Sequence, residues 1–230
     1  MRSSVLLVLA LGATALPAQN AAIQKQVAEF KQVLAANQQA RRQYTWLETT
    51  QIAYQGVVKS TKLSDCQYTG SNPKPTCTEL SLQQAPLGGG FVRKHIEEKK
   101  EAELKAYMDS VRTLIAEYVP MQGALIDKAY QTGNVLVSAE PVGGTTKLLI
   151  TNYRQAGDTV TITFNATTKK LQWVKVSTWL DKKSATVALS VQFANLPNGV
   201  FYAARKNLTA AAAGVGVTVV SSDFAEAIKP

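Results

Sequence analysis

The side chains that could do acid–base, nucleophilic or metal chemistry are few and scattered. His95 is the only histidine, beside Lys94 at the start of a charged segment. No serine or cysteine can be assigned to it, so an imidazole-assisted nucleophile has no partner set. Glu97, Glu98, Glu101 and Glu103 offer hard oxygen ligands of the kind a divalent cation takes. Lysines interleave them, however, and that pattern points to surface ion pairing. Gly88-Gly89-Gly90 lacks the Gly-Lys-Ser/Thr that a phosphate-cradling loop needs and reads as a flexible joint. Asn165-Ala166-Thr167 and Asn207-Leu208-Thr209 match the glycosylation sequon, which matters only in a eukaryotic secretory pathway. No acid–base constellation can be assembled from these residues, so the reading is a non-enzyme with neither cofactor nor metal.

The two cysteines carry a different message. Cys66 and Cys77 flank Pro73-Lys74-Pro75 in a turn-rich segment, and the chain begins with features of an export signal. Arg2 is a basic start, Val5 to Gly12 an apolar run, and Ala13 to Ala22 is rich in small residues. This predicts a signal peptide over 1–18, with Ala18 the preferred last residue, and a single domain over 21–230. The apolar run is too short to span a bilayer and no later segment approaches that length, so no transmembrane segment is expected. In an oxidising compartment the two thiols should pair as a structural disulfide. The expected location is periplasmic or secreted.

A formal charge of +9 raises nucleic acid, anionic lipid and acidic polymers as partners. Nucleic acid is disfavoured by export and by the absence of a recognition motif. The doublets Lys169-Lys170, Lys182-Lys183 and Arg205-Lys206 fall at predicted turns. There they would oppose edge-to-edge aggregation, or contact an anionic envelope component.

The elements that must position any site are one helical insertion and many strands. Leu104, Tyr107, Met108, Val111, Leu114, Ile115 and Tyr118 recur every three or four residues, which predicts a helix with one apolar stripe. Pro120 ends it, and a second helix over Met121–Gln131 closes at Gly133-Asn134, completing a helical insertion over 91–132. Ala21–Gln43 reads as the first helix, with Arg41-Arg42 favouring its C-terminal dipole rather than binding a ligand. Tyr44–Lys62 reads as strand, followed by a short returning strand at Glu79–Gln84. From Val135 on, period-two alternation appears as Val160, Ile162, Phe164, as Leu171, Trp173, and as Ala185, Val187, Leu189, Val191, Phe193. Their polar neighbours mark an antiparallel meander with one wet face. The fold class is α+β: a curved antiparallel sheet with helices on its apolar face. Such a sheet of roughly eight strands encloses more volume than one helix fills, so its apolar side chains line either a full core or a ligand cavity.

The passages Leu171-Gln-Trp-Val-Lys-Val, Ser184 to Phe193 and Leu196-Pro-Asn-Gly-Val-Phe-Tyr resemble the C-terminal half of the LolA-type lipoprotein carrier superfamily. The order signal, helix, strands, helical insertion and closing meander resembles that superfamily over most of the mature chain. Arg42-Gln-Tyr-Thr-Trp46 and Glu98-Lys-Lys also look like segments of exported proteins of soil bacteria. The resemblance implies a half-open β-barrel whose helices lid an apolar cavity accepting acyl chains. The partner would then be a lipid or an acylated protein; the residues themselves, by their apolar faces, give Trp46, Leu104, Met108, Val111, Ile115, Trp173, Leu189, Val191 and Phe193 as the cavity lining, with no residue of the family's own site matched to them. The hairpin joining Cys66 and Cys77 departs from the family pattern.

Overall fold

The computed structural model describes residues 16–70, 72, 74–84, 91–119, 121–140 and 144–227, with backbone alone for 16–23, 91–101 and 140. The signal peptide before Leu16, the Gly88–Gly90 joint and Pro120 lie outside the described residues, as do the side chains of His95, Glu97, Glu98 and Glu101. Helix α1 spans Leu16–Arg41. Strands β1 (Tyr44–Tyr54), β2 (Val57–Gln67) and β3 (Thr76–Gln84) follow. Helices α2 (Phe91–Ala116) and α3 (Gly123–Gln131) form the insertion. Strands β4 (Val135–Glu140), β5 (Thr145–Thr151), β6 (Thr159–Asn165), β7 (Leu171–Trp179), β8 (Thr186–Asn195), β9 (Phe201–Ala210) and β10 (Val215–Glu226) complete the chain.

All ten strands form one antiparallel sheet in the order β3-β2-β1-β10-β9-β8-β7-β6-β5-β4. Every neighbouring pair is a sequential hairpin except β1 with β10, which brings the two ends of the domain together. The sheet is therefore a curved ring left open between β3 and β4, and α2 and α3 lie in the connection between those two edges. Tight turns hold the register. At Gln55-Gly56 both residues have positive φ (50° and 79°), the geometry of a type I′ hairpin, where glycine carries no steric cost. Bulges at Ile52/Ala53, Leu63/Ser64, Thr163/Phe164 and Gln192/Phe193 add the local bend that an open curved sheet requires.

The core sits between the concave face of β4–β10 and the three helices. Leu148 and Ile150, Val160, Ile162 and Phe164, and Val187, Leu189 and Val191 are buried while their neighbours are not. Helix α1 contributes Val27 and Phe30, α2 contributes Val111 and Leu114, and α3 contributes Ile126 and Ala129. Phe30 stacks on Phe164 at 5.2 Å between centroids. Burying each such large side chain contributes about 1.5–3 kcal/mol. An ion pair of 2.6 Å between Lys31 and Asp127 ties α1 to α3 across the outside.

Several expected boundaries shift. Strand pairing with β2 extends the third strand back to Thr76, so Cys77 lies within it opposite Cys66. The Tyr44–Lys62 run is two strands split at Gln55-Gly56. Leu171 and Trp173 do not share a face. Leu171 opposes Phe164 and Trp173 opposes Thr163, so Gln172 is the extra bulge residue and Trp173 turns outward. Arg205-Lys206 lies inside β9 rather than in a turn.

Candidate functional site

The candidate site is the concave face, and the helices cover only part of it. Under α2 the burial is graded. Leu104, Tyr107 and Met108 are half-buried, Val111 and Leu114 are buried, and Ile115 is half-buried again near the C-terminal end. The stripe read from the sequence faces the sheet as amphipathic spacing requires. The Tyr107 hydroxyl is buried without a hydrogen-bond partner among the described residues. Its pKa is raised first by burial and then by the nearby Asp181 carboxylate. An unsatisfied buried hydroxyl costs on the order of 1–3 kcal/mol, which weakens the hold of this half of the helix on the sheet.

The C-terminal end of α2 is fixed by a buried polar cluster that the sequence reading missed. Asp158, fully buried, accepts from the Tyr118 hydroxyl at 2.6 Å and from the backbone N–H groups of Tyr153, Arg154 and Gln155 at 2.6, 3.0 and 3.0 Å. Tyr118 and Thr178 share a hydrogen bond of 2.7 Å, and the Gln155 amide donates to Thr178 at 2.7 Å. Tyr153 accepts from the backbone N–H of Gln122 at 2.8 Å, and Arg154 pairs with Glu117. Burial first, then the bond to Asp158, pushes the Tyr118 hydroxyl pKa well above its ordinary value. A carboxylate accepting four donors, with no nucleophile or base beside it, is an anchor rather than a catalytic group. The Ala156-Gly157-Asp158 turn was the sequence signal that could have pointed to it.

Beyond β9 the same face continues without a covering helix among the described residues. Residues directly paired in an antiparallel sheet share a face. Val187 pairs with Ala210, Ala210 with Val215, and Val215 with Tyr54, so the apolar row runs from the core onto β1. Tyr54 then pairs with Val57, and Ile52 with Val217. Thr50, Lys62 and Leu82 form the row beside them. Ile52, Val217 and Val219 are half-buried, whereas Tyr54, Leu82 and Val57 are 36, 45 and 57 % exposed. The result is an apolar trough that opens from the edge of the core onto the β1–β3 wing.

The residues expected to line a cavity separate into three places. Val111, Leu189 and Val191 are in the buried core, with Leu104, Met108, Ile115 and Phe193 packed against it. Trp46 is buried in an aromatic cluster of its own at the end of β1, against Tyr68 and Phe224 at 5.6 Å each. Trp173 stands on the opposite, convex face, with the Lys175 ammonium 5.7 Å from its ring centre. Space between α1 and the sheet, at Gln26, Val27, Phe30, Leu148 and Phe164, amounts to about 10 Å³, no more than a single water molecule needs. The helices themselves fill the concave face there.

Cys66 and Cys77 are joined in a disulfide. Glu48 lies near both sulfurs, but oxidised sulfur offers no thiolate, so the trio is not a metal centre. Arg41 and Arg42 do more than complement a helix dipole. Arg41 lies over Trp46 and Tyr68 at 5.7 and 5.8 Å, and Arg42 donates to the carbonyls of Gly70 and Asn72, clipping α1 to the disulfide hairpin. Of the basic doublets, Lys169 faces Glu29 at 3.5 Å, Lys183 lies over Trp179 at 5.6 Å, and Lys206 pairs with Glu48 at 2.8 Å. No helix among the described residues is long and apolar enough to cross a membrane.

No family model and no curated protein matches the chain. Among solved structures it is similar to a DUF1329 family protein from Desulfovibrio piger, at 7 % identity and TM-score 0.42, over 90 % of this chain and 92 % of that one. It is also similar to a LolA superfamily protein from Nitrosomonas europaea, at 11 % identity and TM-score 0.32, over 83 % of this chain and 88 % of that one. The architecture seen here, an open curved antiparallel sheet with helices on its concave face, is the α+β class expected from the sequence. At TM-scores of this size neither likeness bears on function, which rests on the site's own residues.

Proposed function

We propose that this is an exported, non-enzymatic binder or carrier of lipid or lipidated protein, taking an acyl chain on the concave face of the sheet. The observation that carries this reading is the trough, in which the core row Val187, Ala210, Val215 runs without a break onto exposed Tyr54 and Val57, with Leu82 exposed on the same face beyond Lys62. Contiguous exposed apolar surface beside a polar rim marks a ligand groove. An acyl chain would lie along Ile52, Val217 and Leu208 and extend under α2 once the N-terminal half of that helix lifts. Leu104 and Met108 would then turn to the ligand, with Val111 and Ile115 held at the anchored end of the helix and Leu189, Val191 and Phe193 lining the sheet side of the same cluster. Lys62, in the row between Thr50 and Leu82, stands where an anionic headgroup would emerge. The disulfide fits an oxidising compartment such as a periplasm.

The test is titration of mature protein with a fluorescent long-chain fatty acid. Val57→Asp and Leu82→Asp, both at exposed positions that leave the core intact, should weaken uptake by roughly tenfold. Unchanged uptake in both would overturn the trough assignment. A second reading, an envelope interaction module with a permanently filled core, is favoured by the close fit of α1 and the sheet around Phe30 and Phe164. It predicts no uptake by any variant.

A further inference from the structure

The disulfide hairpin of the wing holds a second kind of chemistry, separate from the acyl trough. We propose that reduction of the Cys66–Cys77 disulfide turns this end of the sheet into a zinc site, with both thiolates and the Glu48 carboxylate as ligands. Among the described residues this is the one place where three ligating side chains converge, their ligand atoms all within 4.8 Å of one another. While the disulfide is closed the trio holds no metal, because bridged sulfur has no thiolate to give.

Register explains the convergence. Trp46 of β1 pairs with Cys66 of β2, and Cys66 pairs with Cys77 of β3. The next row on the same face reads Glu48, Ser64, Glu79. Glu48 therefore lies diagonal to Cys66, and Glu79 follows Cys77 on the same face of β3. The cysteine Cα atoms are 4.1 Å apart. Directly opposed residues ordinarily hold their Cβ atoms about 4.5–5.5 Å apart, so the freed sulfurs can part without moving the backbone. Two Zn–S bonds of about 2.3 Å in a tetrahedral site ask for a sulfur separation of roughly 3.8 Å, which is within that reach.

Charge and donor type decide the metal. Two thiolates and one carboxylate carry three negative charges, and the Lys206 ammonium, 2.8 Å from the Glu48 carboxylate, offsets one of them. A divalent cation makes the set neutral, as a partly buried cluster of charges requires. Sulfur donors disfavour magnesium and calcium, which take oxygen. The hard carboxylate beside them suits borderline zinc better than copper(I), which takes soft ligands. Cys66, Trp46 and Ser64 are buried, so the inner side of the site is dry. Cys77 is exposed, which leaves the fourth position to water or to the Glu79 carboxylate.

The exchange balances in thiols and protons. A dithiol reductant attacks the sulfur of Cys77, the exposed partner, and Cys66 leaves as thiolate. The reductant's second thiol then closes its own disulfide and frees Cys77. Zinc binds the two thiols with release of two protons. A disulfide donor reverses this: Cys66 and Cys77 rejoin, the donor takes up two protons as two thiols, and zinc leaves. The wing thus has two interchangeable clips, one covalent and one metallic. A newly made chain, its cysteines still reduced, has the metallic one first.

The experiment starts from mature protein reduced by a phosphine, which takes oxygen from water as the disulfide opens. It is titrated without air, first with Co²⁺ and then with Zn²⁺. Sulfur-to-cobalt charge-transfer absorption that saturates at one ion per chain is expected, with zinc displacing cobalt. Unreduced protein and the double variant Cys66→Ser, Cys77→Ser should show none. Glu48→Gln should weaken zinc binding by roughly tenfold or more, and Glu48→Asp, which keeps the carboxylate, by less. Glu103→Gln on α2 should leave it unchanged. Near-UV circular dichroism of the oxidised variants checks the fold. Hydrogen exchange in β2 and β3 should rise on reduction and fall again with zinc. No charge-transfer band in the reduced protein, the same band in unreduced protein, or zinc affinity indifferent to Glu48→Gln would overturn the proposal.

Discussion

The two ends of the sheet are built from the same alternating strands and have opposite fates. In β4–β9 the inward side chains join the core shared with the helices, and residues such as Ile150, Ile162 and Val187 lose all contact with water. In the β1–β3 wing the concave rows have no helix over them among the described residues, and β3 is exposed along its whole length. One end therefore holds its shape by apolar burial and the other by covalent and polar clips: the Cys66–Cys77 disulfide, the Gln55-Gly56 turn and the Arg42 bonds to Gly70 and Asn72. Under the proposed function, stability and ligand access fall to different ends of one sheet.

That contrast can be broken most sharply at its packed end. Phe30→Ala removes the ring stacked on Phe164 and should cost about 3–5 kcal/mol in denaturant unfolding. The matching change in the wing, Leu82→Ala, should stay within about 0.5 kcal/mol. Equal costs would mean that the wing is as well packed as the core. Next in size, replacing Cys66 and Cys77 together by serine should cost about 2–3 kcal/mol through the loop they close. Hydrogen exchange in β2 and β3 should rise far more than in β5–β8, and a uniform rise would contradict the division.

A smaller effect is expected at the polar anchor of α2 within the packed end. Tyr118→Phe removes one donor to buried Asp158 and should cost about 1–3 kcal/mol. The pH dependence distinguishes this from a packing loss. Tyr118 is held protonated in the folded protein by burial and by Asp158, so its folded pKa lies above the unfolded value of 10.0. Its contribution is fully present below that unfolded value and is lost as pH rises through and beyond it. Wild-type stability should therefore fall in alkali above about pH 10, and Tyr118→Phe should fall less steeply. Identical slopes would remove Tyr118 from the account.

Much of the packed end was legible because its signals are local. The stripe from Leu104 to Tyr118 and the alternation in β6 and β8 each follow from spacing within one element, and the tight turns link neighbours in order. What stayed hidden depends on residues far apart. The pairing of β1 with β10 follows from no local pattern, yet it carries the concave rows onto the wing and so defines the trough. One inserted residue, Gln172, reverses the face of Trp173, and alternation alone cannot reveal it. Asp158 looks like an ordinary turn aspartate until Tyr118, some forty residues away, is brought onto it. The cavity residues expected from the apolar faces divide for the same reason: Val111, Leu189 and Val191 share the buried core, whereas Trp46 and Trp173 are carried elsewhere.

The central claim is that the concave face takes an acyl chain. Native mass spectrometry of the mature protein purified from its exported form, followed by lipid extraction, addresses it most directly. The account predicts a bound species whose extracted mass is that of a lipid or acylated molecule, lost in Leu82→Asp. A clean apo mass, together with no uptake of a fluorescent fatty acid, would contradict it and leave the filled core as the protein's resting and only state.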